Sequence, residues 1–323
     1  ASASGPAPTA ATKTPRLPWA VAVIAVLAAL AGWLLPGWLA TGAPDPVVRF
    51  ELDVAEGLDY AEPGPPMVLS PDGQRLAYLA GDPRLLYLRR MDQFEGIALN
   101  DTEGASQPFF SPDGEWIGFF AGTEMKKVSI YGGAAIKLAD VQAHRGGTWT
   151  EDGSIIYTPN VVSGIFRVSE NGGQPEQLTD PDADGPIRSH RWPHALPGGK
   201  AVLFTVQPNG KSFDESNIEV LDLETRERRV VATGGSFGRY AATGHVTYVH
   251  AGTMFAVPFN PATLQAAGAP VPVAEDVSYD SRNGGAHLHY SPQGHMVYLA
   301  GDPRLLYLRR MDQFEGIALN DTE

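Results

Sequence analysis

Cysteine is absent from the 323 residues, which removes several classes of site at once. No disulfide framework can form, and no thiolate can bind a metal or act as a nucleophile. A chain of this length, 43% hydrophobic, can bury a large core without disulfides, so the absence of cysteine does not identify the compartment. Glycine and proline are frequent, at 36 and 27 residues, which is typical of a fold with many turns.

Positive charge is scarce, and this argues against nucleic-acid binding. The chain has 24 Lys and Arg against 37 Asp and Glu, a net charge of −13. Residues 1–44 carry only Lys13 and Arg16 as charged groups, so the remainder is still more acidic. Nucleic-acid binding depends on a cationic surface that displaces counterions, and we therefore expect no nucleic-acid partner.

The motifs of several enzyme classes are missing or incomplete. The sequence has no glycine-rich ATP loop, V-A-I-K lysine, H-R-D loop or D-F-G motif of a protein kinase. Residues 234–238 match G-x-S-x-G around Ser236, but the helix pattern that a nucleophile elbow requires does not follow. Residues 180–185 resemble the start of a calcium loop, but Arg191 stands where such a loop needs glutamate. We expect no enzymatic activity, no cofactor and no metal site in this chain.

Residues 17–39 contain no charged residue and are long enough to cross a membrane as a helix. Lys13 and Arg16 precede them, so the positive-inside rule places the N-terminus in the cytoplasm. We assign residues 1–16 to a flexible juxtamembrane linker and residues 17–40 to a single transmembrane helix in the cytoplasmic (inner) membrane. The remaining chain is expected to be periplasmic or extracellular. A cleaved signal peptide is the alternative, although the apolar run exceeds the usual signal core.

A short turn sequence recurs six times, each time in front of an apolar strand. In the first copy Pro71 presets a turn dihedral and Gly73 accepts a positive φ. The period of about 40–50 residues is that of a four-stranded propeller blade. We therefore predict an all-β fold, a β-propeller of about six four-stranded blades. The copies are residues 70–73, 111–114, 150–153, 196–199, 242–244 and 291–294.

The predicted propeller occupies residues 45–323. An additional strand at residues 47–54 is expected to pair with the last blade, because an open ring would expose strand edges. The blades are assigned to about residues 66–103, 107–140, 146–179, 190–233, 237–275 and 286–323.

Residues 78–103 and 298–323 are identical, whereas the other blades share only a pattern. Such identity indicates a recent duplication, a splice or an assembly error rather than old repeat divergence. Tyr298 continues the sixth blade as Tyr78 continues the first, so the join keeps the phase of the strands. The outer half of the sixth blade is therefore predicted to be able to fold.

Several stretches resemble a known family, namely residues 111–121, 145–149, 189–206, 218–231 and 252–260. They are similar to TolB-like, WD-repeat-like propellers and, more narrowly, to the extracytoplasmic C-terminal region of bacterial transmembrane serine/threonine protein kinases. The resemblance implies a cytoplasmic kinase domain before the membrane helix and a propeller that acts as a sensor or interaction module. The chain begins without Met and is expected to be the C-terminal part of a longer protein.

Polar and aromatic residues near the predicted axis form the candidate binding site. His190 and His194 lie on the innermost strand of blade four, and their even spacing predicts a shared face. Blades three and six offer further residues in comparable places. Two interpretations are open, a ligand site at the channel mouth and hydrogen bonds that lock neighbouring blades. The candidate set is Arg145, Trp149, His190, Arg191, Trp192, His194, His287 and His289.

Three hypotheses for function follow. The first is a membrane-anchored sensor or scaffold whose propeller binds a protein, peptide or glycan and whose helix carries the state inward. The second is a propeller hydrolase or the accessory propeller of a peptidase, although no convincing pair of nucleophile and base is present. The third is a TolB-like periplasmic assembly protein, released by cleavage near residue 43.

Overall fold

The computed structural model describes residues 63–93, 95–300 and 305–310, which belong to the unit formed by Pro46–Glu323. Within these ranges no helix is long and apolar enough to cross a membrane. The predicted linker, the transmembrane helix and the additional strand at residues 47–54 lie outside the described residues.

The first three blades are antiparallel sheets of four strands each, in which every strand pairs with the next along the chain. The first contains β1 (Met67–Leu69), β2 (Arg75–Ala80), β3 (Leu85–Arg90) and β4 (Ile97–Ala98). The second contains β5 (Ala105–Phe110), β6 (Trp116–Ala121), β7 (Glu124–Ser129) and β8 (Ile136–Asp140). The third contains β9 (Gly147–Trp149), β10 (Ser154–Tyr157), β11 (Phe166–Ser169) and β12 (Glu176–Gln177).

The last three blades repeat this order with local variations. The fourth contains β13 (Ile187–Ala195), β14 (Ala201–Pro208), β15 (Asn217–Asp222) and β16 (Arg228–Thr233). The fifth contains β17 (Ser236–Ala241), β18 (His245–His250) and β19 (Thr253–Asn260), and β19 pairs with both β20 (Gln265–Ala266) and β21 (Val271–Ala274). A small hairpin, β22 (Tyr279–Asp280) and β23 (Gly285–Ala286), precedes the sixth blade of β24 (Leu288–Tyr290), β25 (His295–Ala300) and β26 (Leu305–Arg310). Short 3-10 turns at Pro181–Asp184 and Phe213–Glu215 flank the fourth blade's first and third strands.

The innermost strands form a ring. Each of β1, β5, β9, β13, β17 and β24 contacts the innermost strand of the next blade, and β24 contacts β1. The described residues therefore form an all-β, six-bladed propeller, which confirms this part of the predicted fold. The fourth strand predicted for the sixth blade lies outside the described residues.

Side chains between the blades hold the ring together, because each hydrophobic cluster draws on at least two neighbouring sheets. Ile117 packs with Val68 across blades one and two, and Trp149 packs with Phe120 across blades two and three. The last contact closes the ring, since Leu299 packs with Tyr78 across blades six and one. Burying apolar area in this way contributes about 25 cal/mol per Å², so the six interfaces are the main source of stability.

The duplicated segment takes the same register in both blades where it is described. Tyr78 pairs with Tyr87, and their rings stack with centroids 5.5 Å apart. Tyr298 pairs with Tyr307 in the same way, at 5.0 Å. The inner part of the copy thus forms a regular β25–β26 pair.

The recurring turn is held by its own side chains. In the second copy the Ser111 hydroxyl donates to the Asp113 carboxylate and accepts from the backbone N–H of Trp116 at 2.9 Å. Asp113 also accepts from the backbone N–H of Glu115 at 3.0 Å. The first turn contains the same three bonds, and the third, in which threonine replaces serine, contains the two bonds of its aspartate. The tetrapeptide therefore satisfies its own backbone donors and fixes where the returning strand begins.

Replacing this aspartate should destabilise the propeller slightly. Asp113→Ala removes both hydrogen bonds, so we expect the free energy of unfolding to fall by about 1 kcal/mol in urea denaturation. Gln293 occupies the same position in the sixth turn, where its exposed side chain makes no hydrogen bond with a described residue. Gln293→Ala should change stability by less than about 0.5 kcal/mol. Equal losses in the two variants would contradict this account of the turn.

Candidate functional site

In four blades a left-handed residue lies in the innermost strand or directly before it, seven positions before the glycine that ends the turn. The residues are Gln107, Gly146, Trp192 and Phe237, with φ of 48°, 93°, 56° and 62°. In β5, β13 and β17 the pairing register shifts at this residue, which marks a β-bulge. A bulge reverses the alternation of side chains along the strand, so it re-aims the residues that follow.

Two residues after this position, each blade directs one side chain into a cavity of about 550 Å³ at the centre of the propeller. We call these six residues the axial ring. The cavity lies at the end where the innermost strands enter the recurring turns, and all six blades contribute to it. In blade order, the axial ring consists of Val68, Phe109, Thr148, His194, Arg239 and His289.

The walls above the axial ring are mainly aromatic and proline side chains. The residue after each ring member also lines the cavity, and the proline-rich turns form its rim. Prolines have a fixed φ, so much of this rim is rigid before any ligand arrives. The wall residues are Leu69, Phe110, Trp149, Ala195, Tyr240 and Tyr290, and the rim includes Pro71, Pro112, Glu151, Pro197, Ala242 and Pro292.

Trp192 forms the floor of the cavity. Its side chain is fully buried, and its indole N–H donates to the carbonyl of Asn283 at 3.0 Å. A Cβ at Gly64, Gly146 or Gly285 would lie only 2.7, 3.0 or 2.9 Å from the indole ring. Glycine at these positions therefore lets three segments approach the indole closely, and the indole blocks the axis below the cavity.

Blades four to six supply the polar half of the axial ring, and Arg239 is its centre. The guanidinium stacks on the Phe237 ring at 3.6 Å and is 7% exposed. Its Nη1 donates to the carbonyls of Trp192 at 3.1 Å and Gly238 at 2.9 Å. Among the described residues no carboxylate lies within ion-pair distance of it. Burial lowers the pKa of Arg239 to about 9, so the group remains cationic at neutral pH.

The two histidines beside Arg239 are neutral at physiological pH. Burial lowers the pKa of His289 to about 3, and the neighbouring Arg239 adds to the shift. Burial, Arg239 and His289 together hold the pKa of His194 well below its usual range. Nδ1 of His289 accepts the backbone N–H of Leu69 at 3.2 Å, which links blades six and one. The polar half thus presents one positive charge between two uncharged imidazoles.

Blades one to three supply the apolar half, which is built from Val68, Phe109 and Thr148. The Thr148 hydroxyl is occupied, because it accepts the backbone N–H of Ala195 at 3.1 Å. Gln107, at the bulge below Phe109, is 3% exposed and its Oε1 accepts the backbone N–H of Gly146 at 2.6 Å. Its Nε2 is a buried donor without a hydrogen-bond partner, and the residue lines the cavity.

Four of the eight predicted site residues line this cavity: Trp149, Trp192, His194 and His289. Trp149 contributes its ring face, since its indole N–H donates to Glu170 at 3.0 Å. Their role in binding stays a prediction, although the structure brings them together.

The other four lie deeper along the innermost strands or toward their starting ends. His190 is fully buried, with Nδ1 2.7 Å from the Thr179 hydroxyl. His287 places Nδ1 2.7 Å from the Ser278 hydroxyl. Arg191 donates to Ser189 Oγ at 2.6 Å and to the carbonyl of Val161 at 2.8 Å, and Arg145 donates to the carbonyl of His144 at 2.6 Å. His190 and Arg191 thus contact blade three, as the alternative of hydrogen bonds between neighbouring blades expects, whereas the contacts of Arg145 and His287 are local.

The prediction that His190 and His194 share one face of the strand is wrong. His190 pairs with Val206 and His194 with Leu203, an odd difference along β14, so the two imidazoles lie on opposite faces. The bulge at Trp192 inserts one residue between them, and even spacing then no longer means one face.

Sequence reasoning missed Arg239, Phe109 and Gln107. A signal was available, because the residue five positions before each turn-ending glycine gives the whole axial ring. The sequence prediction selected histidine and tryptophan by residue type. The property that determines which residues form the axial ring is instead their constant distance in sequence from the turn.

The two motifs set aside in the sequence take ordinary structural roles. Ser236 is fully buried in β17, and its hydroxyl donates to the carbonyl of Gly284 at 2.9 Å. Asp180 caps the 3-10 turn Pro181–Asp184 by accepting the backbone N–H of Asp182 at 3.0 Å.

Comparisons with known proteins add information on the fold. No protein-family model matches the chain, and no curated protein matches it. Among solved structures it is similar to hydrazine synthase of Kuenenia stuttgartiensis, with 13% identity, 84% of each chain covered and a TM-score of 0.53. It is also similar to a chain of a nidogen/laminin complex, with 13% identity, 70% of this chain and 84% of that chain covered and a TM-score of 0.53. At these identities the likeness concerns the fold alone.

Two partly buried, neutral histidines predict a loss of stability in mild acid. The pKa of His289 is about 3 and that of His144 about 4, against about 6.5 when unfolded. Below pH 6.5 the unfolded chain binds protons that the folded chain does not, so stability falls as pH falls toward 4. Each histidine contributes up to about 1.4 kcal/mol per pH unit.

The test compares urea denaturation at pH 7 and pH 5. His289→Gln keeps an acceptor for the N–H of Leu69 but removes the titrating group, so the pH dependence should become weaker. His250→Gln, at an exposed position, is the matched control and should keep the slope of the unsubstituted chain. An unchanged slope in His289→Gln would refute the assignment.

Proposed function

We propose that the chain is a membrane-anchored ligand-binding module, and that its ligand binds in the axial cavity. The observation that carries this proposal is the cavity itself, about 550 Å³, lined by all six blades with largely apolar walls and a few convergent polar groups. Sites for small molecules and short peptide segments have this size and composition. Six blades that meet at one cavity also allow a ligand to affect several blade interfaces together.

The second part of the proposal concerns the membrane. The uncharged residues 17–39, preceded by Lys13 and Arg16, support a single-pass anchor with the propeller on the outer side. The resemblance to the C-terminal region of bacterial receptor-type serine/threonine kinases supports a sensor role, in which the helix carries the bound state inward. The kinase activity would belong to sequence preceding Ala1, and the ligand would be a protein segment, peptide or glycan fragment.

Blocking the cavity should abolish ligand binding. A panel of neutral, cationic and anionic fragments and tripeptides is screened by ligand-observed NMR against the full chain in nanodiscs. Ala242 is exposed on the rim, so Ala242→Trp should obstruct the cavity with little effect on folding and weaken binding at least about tenfold.

Ala262→Trp is the matched control, since Ala262 is exposed in the turn between β19 and β20. It should bind like the unsubstituted chain. If no member of the panel binds, or if ligands bind equally to Ala242→Trp and Ala262→Trp, the cavity is not the binding site.

The absence of cysteine makes the membrane topology directly testable. Single cysteines are introduced by Ser4→Cys in the linker and Ala262→Cys in the propeller, and intact spheroplasts receive a membrane-impermeant maleimide. We expect Ala262→Cys to be labelled, Ser4→Cys to stay unlabelled, and the chain to resist alkaline extraction.

Labelling of Ser4→Cys alone would reverse the topology. Recovery of a soluble chain cut near residue 43 would instead favour a released, TolB-like periplasmic protein.

A further inference from the structure

We propose that the ligand of the axial cavity carries a carboxylate, which Nε and Nη2 of Arg239 bind side-on, and an apolar body that packs against the opposite half of the axial ring. The inference rests on the proposed function, because it names the chemical class of ligand for the same cavity.

The charge of Arg239 is the first feature that points to an anionic ligand. Arg239 is 7% exposed, and no carboxylate of the described residues lies within ion-pair distance. Buried charges in proteins are ordinarily paired, because desolvating an isolated charge costs several kcal/mol. The fold keeps this guanidinium at the base of an open cavity, where a ligand can supply the missing counter-charge.

The guanidinium of Arg239 is held in a fixed orientation. Nη1 is held by the carbonyls of Trp192 and Gly238, and the plane is fixed by stacking on Phe237 at 3.6 Å. The remaining donors, on Nε and Nη2, have no acceptor among the described residues and are not sealed from solvent. These two nitrogens form the fork whose parallel N–H groups match a carboxylate.

The axial-ring residues beside Arg239 carry no charge at neutral pH. His194 and His289 flank Arg239 in the axial ring, and both are neutral. Neither side chain therefore repels a bound anion or supplies the counter-charge of Arg239. Gln107 adds a buried Nε2 without a partner in the same cavity.

Arg239 is the only cation among the described residues that line the cavity, and the only carboxylate there, Glu151, lies on the rim and accepts the backbone N–H of Gly198 at 3.0 Å. A singly charged carboxylate matches the charge of Arg239, whereas a doubly charged phosphate would leave excess negative charge among apolar walls.

The axial ring is asymmetric, with its apolar half opposite Arg239. Opposite the polar half lie Val68 and Phe109, with Leu69 and Trp149 above them. A ligand whose carboxylate reaches Arg239 therefore places its other end against aromatic and aliphatic side chains. An acid with an aromatic body fits this description, either as a small free molecule or as the C-terminal residue of a peptide.

The test uses matched acids and amides on the full chain in nanodiscs, measured by isothermal titration. N-acetylphenylalanine represents the free acid, and the peptide Gly-Gly-Gly-Phe represents a C-terminus. Each is compared with its C-terminal amide, which keeps the apolar body and removes the charge. We expect the acids to bind about 10- to 100-fold more tightly than the amides. A stronger acid–amide contrast for N-acetylphenylalanine identifies a small free acid, and a stronger contrast for the peptide identifies a C-terminus.

Variants assign the effect to one residue. Arg239→Gln should remove the preference for the acids, and Arg239→Lys, which keeps the charge without the fork, should retain part of it. Arg229→Gln, on the outer strand β16 where the guanidinium is half exposed, is the matched control and should keep the full preference. Thermal melting of each variant verifies folding, and Arg239→Lys keeps the test valid if Arg239→Gln fails to fold.

The carboxylate assignment and the proposed function can fail separately in these experiments. Equal binding of acids and amides would overturn the carboxylate assignment. The same holds if the acids bind too weakly to detect while neutral ligands of the panel still bind and are blocked by Ala242→Trp. Either result would leave the cavity as a binding site. If no ligand of the panel binds the unsubstituted chain, the proposed function itself is overturned.

Discussion

In four of the six blades, a left-handed residue at the innermost strand determines which side chain the blade presents at the axis. A strand alternates its side chains between two faces, and one extra residue reverses that order from there onward. In β13 the reversal brings His194 into the cavity and leaves His190 between the blades. A non-glycine residue at φ near +56° costs about 1–2 kcal/mol. Full burial of the large Trp192 side chain offsets a cost of that size.

Closure of the ring is the second condition, because the axial cavity exists only if the first and last blades meet. The described residues achieve this with side chains, as Leu299 and Leu306 pack with Met67 and Tyr78. His289 adds a hydrogen bond from blade six to the backbone of blade one. This interface includes part of the duplicated segment, so the copy continues a closing blade in the correct register.

The repeat pattern predicted the architecture well, because turn chemistry and strand alternation are local. A proline, an aspartate and a glycine specify the turn whatever the rest of the chain does, as the bonds of Asp113 show. The site was harder to predict, because a bulge is a change in the pairing of two strands and has no fixed sequence. Trp192 and Phe237 occupy left-handed backbone although their residue types do not favour it, so even spacing misled the assignment of His190. Arg239 was missed because an arginine in a strand pattern does not reveal whether it is paired.

The positive charge of Arg239 distinguishes the axial ring from the rest of this acidic chain. The net charge of −13 opposes the approach of anions over long distances, although salt screens that field within about 8 Å at physiological ionic strength. At the base of the cavity the balance differs, since Arg239 lies among apolar walls and keeps its charge with a pKa of about 9. Attraction between charges is stronger in such surroundings than in water. Recognition of an anion here therefore depends on contact geometry at Nε and Nη2 rather than on long-range steering.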